Sequence, residues 1–272
     1  MKGLTKGLRN KWAVLLIVPL IWLLIHLLLR SKPVLTPQLI AHRGGGGLAP
    51  ENTLAALRAG LAAGAHVIEV DVQRSVDGVI VLMHDATVDE TTNGRGRVAD
   101  LTWAELNQLD AGSHFSSEFA GEAVPRLEDA LGLLTAEPVT LMIEVKDPEL
   151  YPGLASDLWD VIRRAGAQDR VMVISFAHNW IIGFHQLAPE VPIGILSYWP
   201  YQVPGVAHGQ AISVLWSSVL LDPTLVSRVH EAGASIVVFT VNNPTLMRCL
   251  LWLGIDGVIT DRPDLWPQAF KE

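Results

Sequence analysis

The stretch His66-Val-Ile-Glu-Val-Asp-Val72 sets two carboxylates inside an otherwise apolar run. Successive side chains of a strand alternate between its faces, so Glu69 and Asp71 share one face and Ile68, Val70 and Val72 the other. Seven further apolar runs share the chain with it, at 39–41, 139–145, 170–175, 193–196, 211–215, 235–239 and 256–260. Helical patterns fall between them, at 52–63, 127–134, 150–165, 223–232 and 244–253, each begun near a capping residue or a proline suited to a first turn. Strands apolar on both faces and followed by helices predict a parallel sheet covered by helices.

Eight such units in about 235 residues fit a closed TIM (β/α)8 barrel, an α/β fold of that usual size. A doubly wound open sheet is the alternative, but it would more often carry G-x-G-x-x-G after its first strand. The run Gly44 to Gly47 does not keep that spacing. Two places are irregular. Residues 198–218 lack a clear helix, and 85–125 exceed an ordinary connection, which predicts a small insertion after the second strand.

Composition narrows the function classes. The chain has 272 residues and a net charge of −8, and the six charged residues among the first 35 are all basic. The remainder therefore holds 14 basic against 28 acidic residues, which argues against nucleic acid as a partner. Mean hydropathy of +0.32 with 18% charged residues excludes a disordered chain. A single cysteine, Cys249, leaves no internal disulfide, and no Cys/His cluster offers a zinc site.

Residues 12–29 carry no formally charged side chain and, at 1.5 Å per residue, nearly span a ~30 Å hydrocarbon core. They predict one N-terminal transmembrane helix. A cleaved signal peptide is the alternative, but its apolar region would be ~7–15 residues long and end at a small-x-small site, which Leu27-Leu-Leu-Arg-Ser-Lys-Pro33 lacks. Four basic residues precede the run and two follow, so residues 1–11 are expected in the cytoplasm and the body across the membrane, periplasmic or otherwise extracytoplasmic. The expected division is thus a cytoplasmic segment 1–11, an anchor 12–29, a linker 30–37 and a barrel domain 38–272.

The third run repeats the second, with Glu144 and Lys146 on one face and Ile143 and Val145 on the other. His42 and Arg43 follow the first run, and His84 follows Val79-Ile-Val-Leu-Met83. In a barrel all of these lie at the C-terminal mouth, where active sites of the fold are found. Three carboxylates at one mouth raise one another's pKa unless a cation compensates. A divalent ion does so most simply, and oxygen ligands favour Mg2+ or Ca2+ over zinc. The alternative is a buried ionic network of Glu69, Asp71 and Glu144 with Arg43 and Lys146, which is costly to bury. Two histidines beside a metal and two cations suggest proton transfer on a phosphate ester. His66, His114, His178, His185, His208 and His230 read as surface or packing residues. The glycine run suits either an anion-binding turn or a plain one.

These residues carry a resemblance. Ala41-His-Arg-Gly-Gly, Ala49-Pro-Glu-Asn-Thr, Glu69-Val-Asp, Val81-Leu-Met-His-Asp, Thr91-Thr-Asn-Gly-Arg-Gly, Pro125-Arg-Leu, Glu144-Val-Lys, Thr240-Val-Asn and Gly257-Val-Ile-Thr-Asp occur in the order of the glycerophosphodiester phosphodiesterase family. With an anchor in front, the chain resembles the membrane-bound members. The resemblance implies a TIM barrel, one divalent cation, and hydrolysis of a glycerophosphodiester to an alcohol and sn-glycerol 3-phosphate. Glu69, Asp71 and Glu144 would bind the metal, His42 and His84 would be general base and general acid, and Arg43 and Lys146 would hold the phosphate. Attack by water and attack through a cyclic phosphate are both open. Phe239 stands where the family commonly has tryptophan, keeping an aromatic pocket wall but losing an indole donor. Asp89-Glu90-Thr91-Thr92 replaces Asp-Arg-Thr-Thr, an anion for a cation. Three functions are therefore carried forward: hydrolysis of soluble diesters; lysophospholipase D action on lysophospholipids, for which Leu196-Ser-Tyr-Trp-Pro-Tyr201 and Leu215-Trp216 would form a lipid-facing lip, although the stretch reads more simply as packed surface between helix and barrel; and a non-catalytic lipid-binding barrel.

Overall fold

The structure, a computed structural model, describes residue 24 and residues 36–198 and 211–269. Apart from Leu24 the predicted anchor lies outside the described residues, as do the N-terminal segment, all but the last two residues of the linker, and Trp199 to Tyr201 of the predicted lip. Among the described residues no helix is long and apolar enough to cross a membrane.

The strands are β1 (Gln38–Ala41), β2 (Val67–Arg74), β3 (Ile80–Leu82), β4 (Thr140–Val145), β5 (Val171–Ser175), β6 (Ile193–Ser197), β7 (Ala211–Leu215), β8 (Ser235–Phe239) and β9 (Gly257–Thr260). Eight of them pair in parallel, and β1 closes the sheet by bonding both β2 and β9. The predicted closed barrel is therefore the observed one, and all eight apolar runs are its staves. The run 79–83 contributes β3, which folds back antiparallel on β2 outside the ring.

Helices fill the connections much as the sequence patterns predict, with shorter ends. Thr53 caps Leu54–Ala62 by accepting the Ala56 N–H, and Asn243 caps Pro244–Trp252 by accepting that of Leu246. The helix expected from residue 150 begins only at Leu154, because Pro152 disfavours a helical Tyr151 and Gly153 takes φ 83°. Among the described residues four helices lie outside the predicted patterns: the short Trp103–Leu106 and Trp266–Ala269, and the longer His178–Leu187 and Trp216–Leu221, the last directly after β7. Trp216 therefore starts a helix and packs on the core, which agrees with the packed reading of that stretch and not with the lip. The segment 85–125 is the insertion, stapled by isolated bridges Thr87 to Arg97 and Asp110 to Ala123. It has its own small core of Val88, Val98, Leu106 and Ala111 under Val81 and Met83.

Two apolar layers follow from strand alternation. Ile68, Val70, Val72, Ile143 and Val145 face the helices, while Ile40, Val67, Met142, Ile174, Leu196, Val237 and Ile259 form a separate cluster that plugs the barrel. Two positions beyond these plug residues, on the same side of each strand, come His42, Glu69, Glu144, Phe176, Tyr198, Phe239 and Asp261. The plug is thus the floor of a cleft and the next layer its wall.

Candidate active site

The cleft encloses about 260 Å³, lined by His42, Arg43, Glu69, His84, Glu144 and Lys146 on one side and by Ile174, Phe176, Leu196, Tyr198, Leu215 and Phe239 on the other. Every residue singled out from the sequence is here, except that Asp71 lies just beneath, fully buried. Asp71 and Glu144 are register partners on neighbouring strands, which is why one inward face brings them together. One oxygen from each of Glu69, Asp71 and Glu144 lies within 4.8 Å of the other two.

The cations are already shared among the acids. Lys146 Nζ lies 2.5 Å from Glu144 Oε1 and 3.1 Å from Asp71 Oδ1. Both oxygens of Glu51 accept from Arg43 Nη1, at 2.8 and 2.9 Å, while Arg43 Nε stands 3.5 Å from Asp71. The Arg43 backbone, at φ 52°, turns its N–H onto Glu69 Oε2 at 2.7 Å. Four carboxylates therefore face two cations. Burial, then the charge of Asp71, push Glu69 up to about 8, and the same two causes push Glu144 up to about 7 against the pull of Lys146. Asp71 is buried too, but Lys146 and Arg43 hold its carboxyl below the usual range.

This set fits a divalent cation. Glu69 Oε1 is buried with no partner, and Asp71 Oδ1 and Glu144 Oε1 make no directed hydrogen bond, facing only the Lys146 ammonium. Unsatisfied buried carboxylate oxygens are expensive, and three of them converging is a ligand set for a hard cation.

Both histidines are held at Nδ1. His42 Nδ1 lies 2.6 Å from Asp261 Oδ1, and His84 Nδ1 lies 2.6 Å from Asp85 Oδ1. Burial opposes charge on His42, yet the Asp261 hydrogen bond with the charges of Glu69 and Asp71 outweighs it and raises the pKa. Phe176 stacks on Tyr198 with centroids 4.6 Å apart, and Phe239 meets both edge-on at 6.0 Å. These rings fill one another's faces and so form a single apolar wall, not a cage. Tyr198 stays 56% exposed at the rim.

The glycine run is a packed turn. Gly45 and Gly46 donate their N–H groups to His42 O and Gly47 donates to Asp261 O, so these three are not offered to an anion. A side chain at Gly44, which sits at φ 84°, would meet the Leu57 backbone N at 2.8 Å.

The sequence model of the Glycerophosphoryl diester phosphodiesterase family matches residues 42–265. The chain belongs to that family. Its enzyme class follows, that of a phosphoric diester hydrolase. A glycerophosphodiester phosphodiesterase of Caldanaerobacter subterraneus subsp. tengcongensis is 35% identical over 230 residues, 83% of this chain and 94% of that protein. A phosphodiesterase of Oleispira antarctica, solved in complex with the product sn-glycerol-3-phosphate, is 30% identical with a TM-score of 0.80, covering 87% of this chain and 98% of that one. A glycerophosphodiester phosphodiesterase of Agrobacterium tumefaciens is 32% identical with a TM-score of 0.75, covering 86% and 100%.

The family's motifs also contain residues to which sequence reasoning assigned no role. Glu51 and Asn52 of Ala49-Pro-Glu-Asn-Thr grip Arg43 and Asp71, and Asn242 and Asp261 meet behind His42. The motifs themselves were the only signal, because these contacts join residues 8 to 219 positions apart, beyond the reach of a strand or helix period. Gln73 is a further case: it is buried, donates to His84 O at 3.2 Å and accepts from the Tyr151 hydroxyl at 2.5 Å. Of the histidines read as surface or packing residues, His66 Nδ1 accepts the Leu39 N–H, His178 Nε2 pairs with Leu196 O and His230 Nε2 with Asp256, all structural.

Proposed function

We propose that the chain hydrolyses glycerophosphodiesters to an alcohol and sn-glycerol 3-phosphate, using one divalent cation, Mg2+ or Ca2+, held by Glu69, Asp71 and Glu144. The observation that carries this reading is the convergence of those three buried carboxylates, two with raised pKa values, on a cleft that also holds two histidines and two cations. When bound, the cation would supply Lewis-acid stabilisation of charge on a phosphoryl oxygen. Arg43 and Lys146 hold the remaining phosphoryl oxygens, and Lys146 is free to turn to them once it no longer bridges Asp71 and Glu144. His42, tied at Nδ1, uses Nε2 as general base, and His84, also tied at Nδ1, uses Nε2 as general acid on the leaving alcohol. Ile174, Leu196 and the aromatic wall make the side of the cleft opposite the charges apolar.

The same reading includes the anchor at 12–29 and an extracytoplasmic barrel. Residue 37 joins β1 at the end opposite His42, so a tether there hangs the barrel from the pole away from the cleft. An eight-residue linker spans at most about 29 Å fully extended. That arrangement supports soluble, deacylated diesters as substrates over lysophospholipids of the same bilayer. The apolar wall of Phe176, Tyr198 and Phe239 favours the second reading, lysophospholipase D, because it offers an acyl chain a dry surface.

The test is turnover by the purified chain of glycerophosphoethanolamine, glycerophosphoinositol and lysophosphatidylethanolamine, with Mg2+, with Ca2+ and with chelator. Release of glycerol 3-phosphate is expected, abolished by chelator. Lysophosphatidic acid as the main product would favour the second reading, and no turnover under any cation would sink both. A C-terminal reporter active only in the cytoplasm should stay silent; activity there would reverse the orientation.

A further inference from the structure

Two of the motifs quoted above have no part in cation or phosphate binding, yet they meet at one place. Asp261, at the end of β9, reaches back across 219 residues to His42. Its other oxygen, Oδ2, accepts from Asn242 Nδ2 at 2.6 Å. Asn242 is itself oriented without ambiguity, because its Oδ1 accepts both the Asp261 N–H and the Thr260 hydroxyl at 2.9 Å. Gly47 donates its N–H to Asp261 O from the other side. Asp261 is not among the three convergent carboxylates.

We infer that Asp261 and Asn242 are positioning residues that fix the tautomer of His42: Asn242 orients the Asp261 carboxylate, which holds the imidazole proton on Nδ1 and leaves Nε2 as the atom that exchanges a proton with the reacting group. The hydrogen bonds leave little freedom. An acid oxygen 2.6 Å from Nδ1 accepts from that nitrogen, so the neutral ring carries its proton there and presents a lone pair at Nε2. When the ring takes a second proton at Nε2, the carboxylate stabilises the resulting imidazolium, with no bond formed or broken at Asp261 itself. Comparable wiring in Ser-His-Asp hydrolases shows what is at stake, since exchanging their carboxylate for an amide costs about 10⁴-fold by imposing the wrong tautomer.

The same geometry dictates an asymmetric set of variants. In Asp261→Asn, the Asn242 amide claims the only side-chain oxygen at position 261, so the new NH2 faces His42 Nδ1 and drives the proton to Nε2. Adding Asn242→Asp reverses the orientation. The amide NH2 at position 261 then donates to the carboxylate introduced at position 242, and the amide oxygen again accepts from His42 Nδ1.

The inference rests on the phosphodiesterase reading, and the experiment separates the two. Asp261→Asn should lower kcat by about 10³-fold or more with KM and cation affinity within about threefold, and Asn242→Asp in that background should recover at least about tenfold of it. In a His42→Ala background Asp261→Asn should cost nothing further. Long-range nitrogen NMR spectra of the cation-loaded chain should place the His42 proton on Nδ1 in the wild type and on Nε2 in Asp261→Asn. A wild type without turnover sinks the phosphodiesterase reading, while the spectra still judge this one. An Nε2–H tautomer in the wild type overturns the inference by itself, even should Asp261→Asn fail to fold. So does a kcat retained in Asp261→Asn, an equal loss without His42, or a swapped pair no better than the single variant.

Discussion

Asn52 and Asp71 hold each other twice: Asn52 Nδ2 donates to Asp71 Oδ2 at 2.9 Å, and the Asp71 N–H donates to Asn52 Oδ1 at 3.0 Å. Asn52 adopts φ 55° to do so, a conformation that asparagine tolerates better than most residues. The pair occupies Asp71 Oδ2 and fixes the carboxylate, leaving Oδ1 without a directed hydrogen bond. Asn52→Ala is therefore expected to weaken cation affinity by about 10–100-fold, the usual cost of losing a partner behind a metal ligand. Calorimetric titration with Mg2+ and Ca2+ measures it, and an unchanged Kd would mean that Asp71 needs no such guide.

Removing a ligand differs from removing its support. Glu69→Gln and Asp71→Asn should each lower turnover by at least about 10²-fold, equivalent to roughly 3 kcal/mol, and blunt the response to added cation. Unchanged rates in both variants would exclude the proposed metal site. Their stabilities should diverge without cation. Burial keeps Glu69 protonated, so a neutral isostere there is tolerated, whereas Asp71→Asn strips Lys146 and Arg43 of their common partner.

A pH dependence follows from the two raised carboxylates. Unfolded, both release their protons near 4.5; folded without cation, Glu144 holds its proton up to about 7 and Glu69 to about 8. Across that window the folded state binds more protons than the unfolded one, so stability from these groups is present at low pH and lost as pH rises through the folded values. Asp71, shifted the other way, adds stability above its unfolded pKa that is lost only in stronger acid. Cation binding needs the deprotonated ligands, so stabilisation by cation grows with pH. The gap in Tm between cation-saturated and chelated protein should be wider at about pH 8.5 than at about pH 5.5; a gap independent of pH would contradict the raised values.

Gly47 is a packing device behind His42. A Cβ there would lie 2.8 Å from Asp261 O and 2.7 Å from Arg262 Cδ. Gly47→Ala should destabilise the fold by about 1–3 kcal/mol, as overpacking does, and reduce turnover with cation affinity unchanged. Chemical denaturation and calorimetry together check it.

Much of this was legible in the chain. Alternation places Glu69, Asp71 and Glu144 on one face of their strands wherever those strands lie, and a strand apolar on both faces needs helices on its outer side. Helix starts at Thr53 and Asn243 were readable because capping is a local bond. The glycine run was open between two readings because its N–H partners, His42 O and Asp261 O, depend on where the last strand ends. The helix His178–Leu187 was missed because no side chain caps its start and Gly183 interrupts its interior, so neither local signal marks it.

The sequence by itself determined which residues face inward, since the two-residue period of a strand is a property of the local backbone, and it determined that so many inward acids need a positive partner. Only the tertiary structure decided how many partners they have and where. Closing β1 onto β9 brings Asp261 and Asn242 to His42, and the turn before the first helix brings Asn52 to Asp71. Those contacts cross wide gaps in the chain, and no local preference encodes a distance between residues that meet only when the ring of strands shuts.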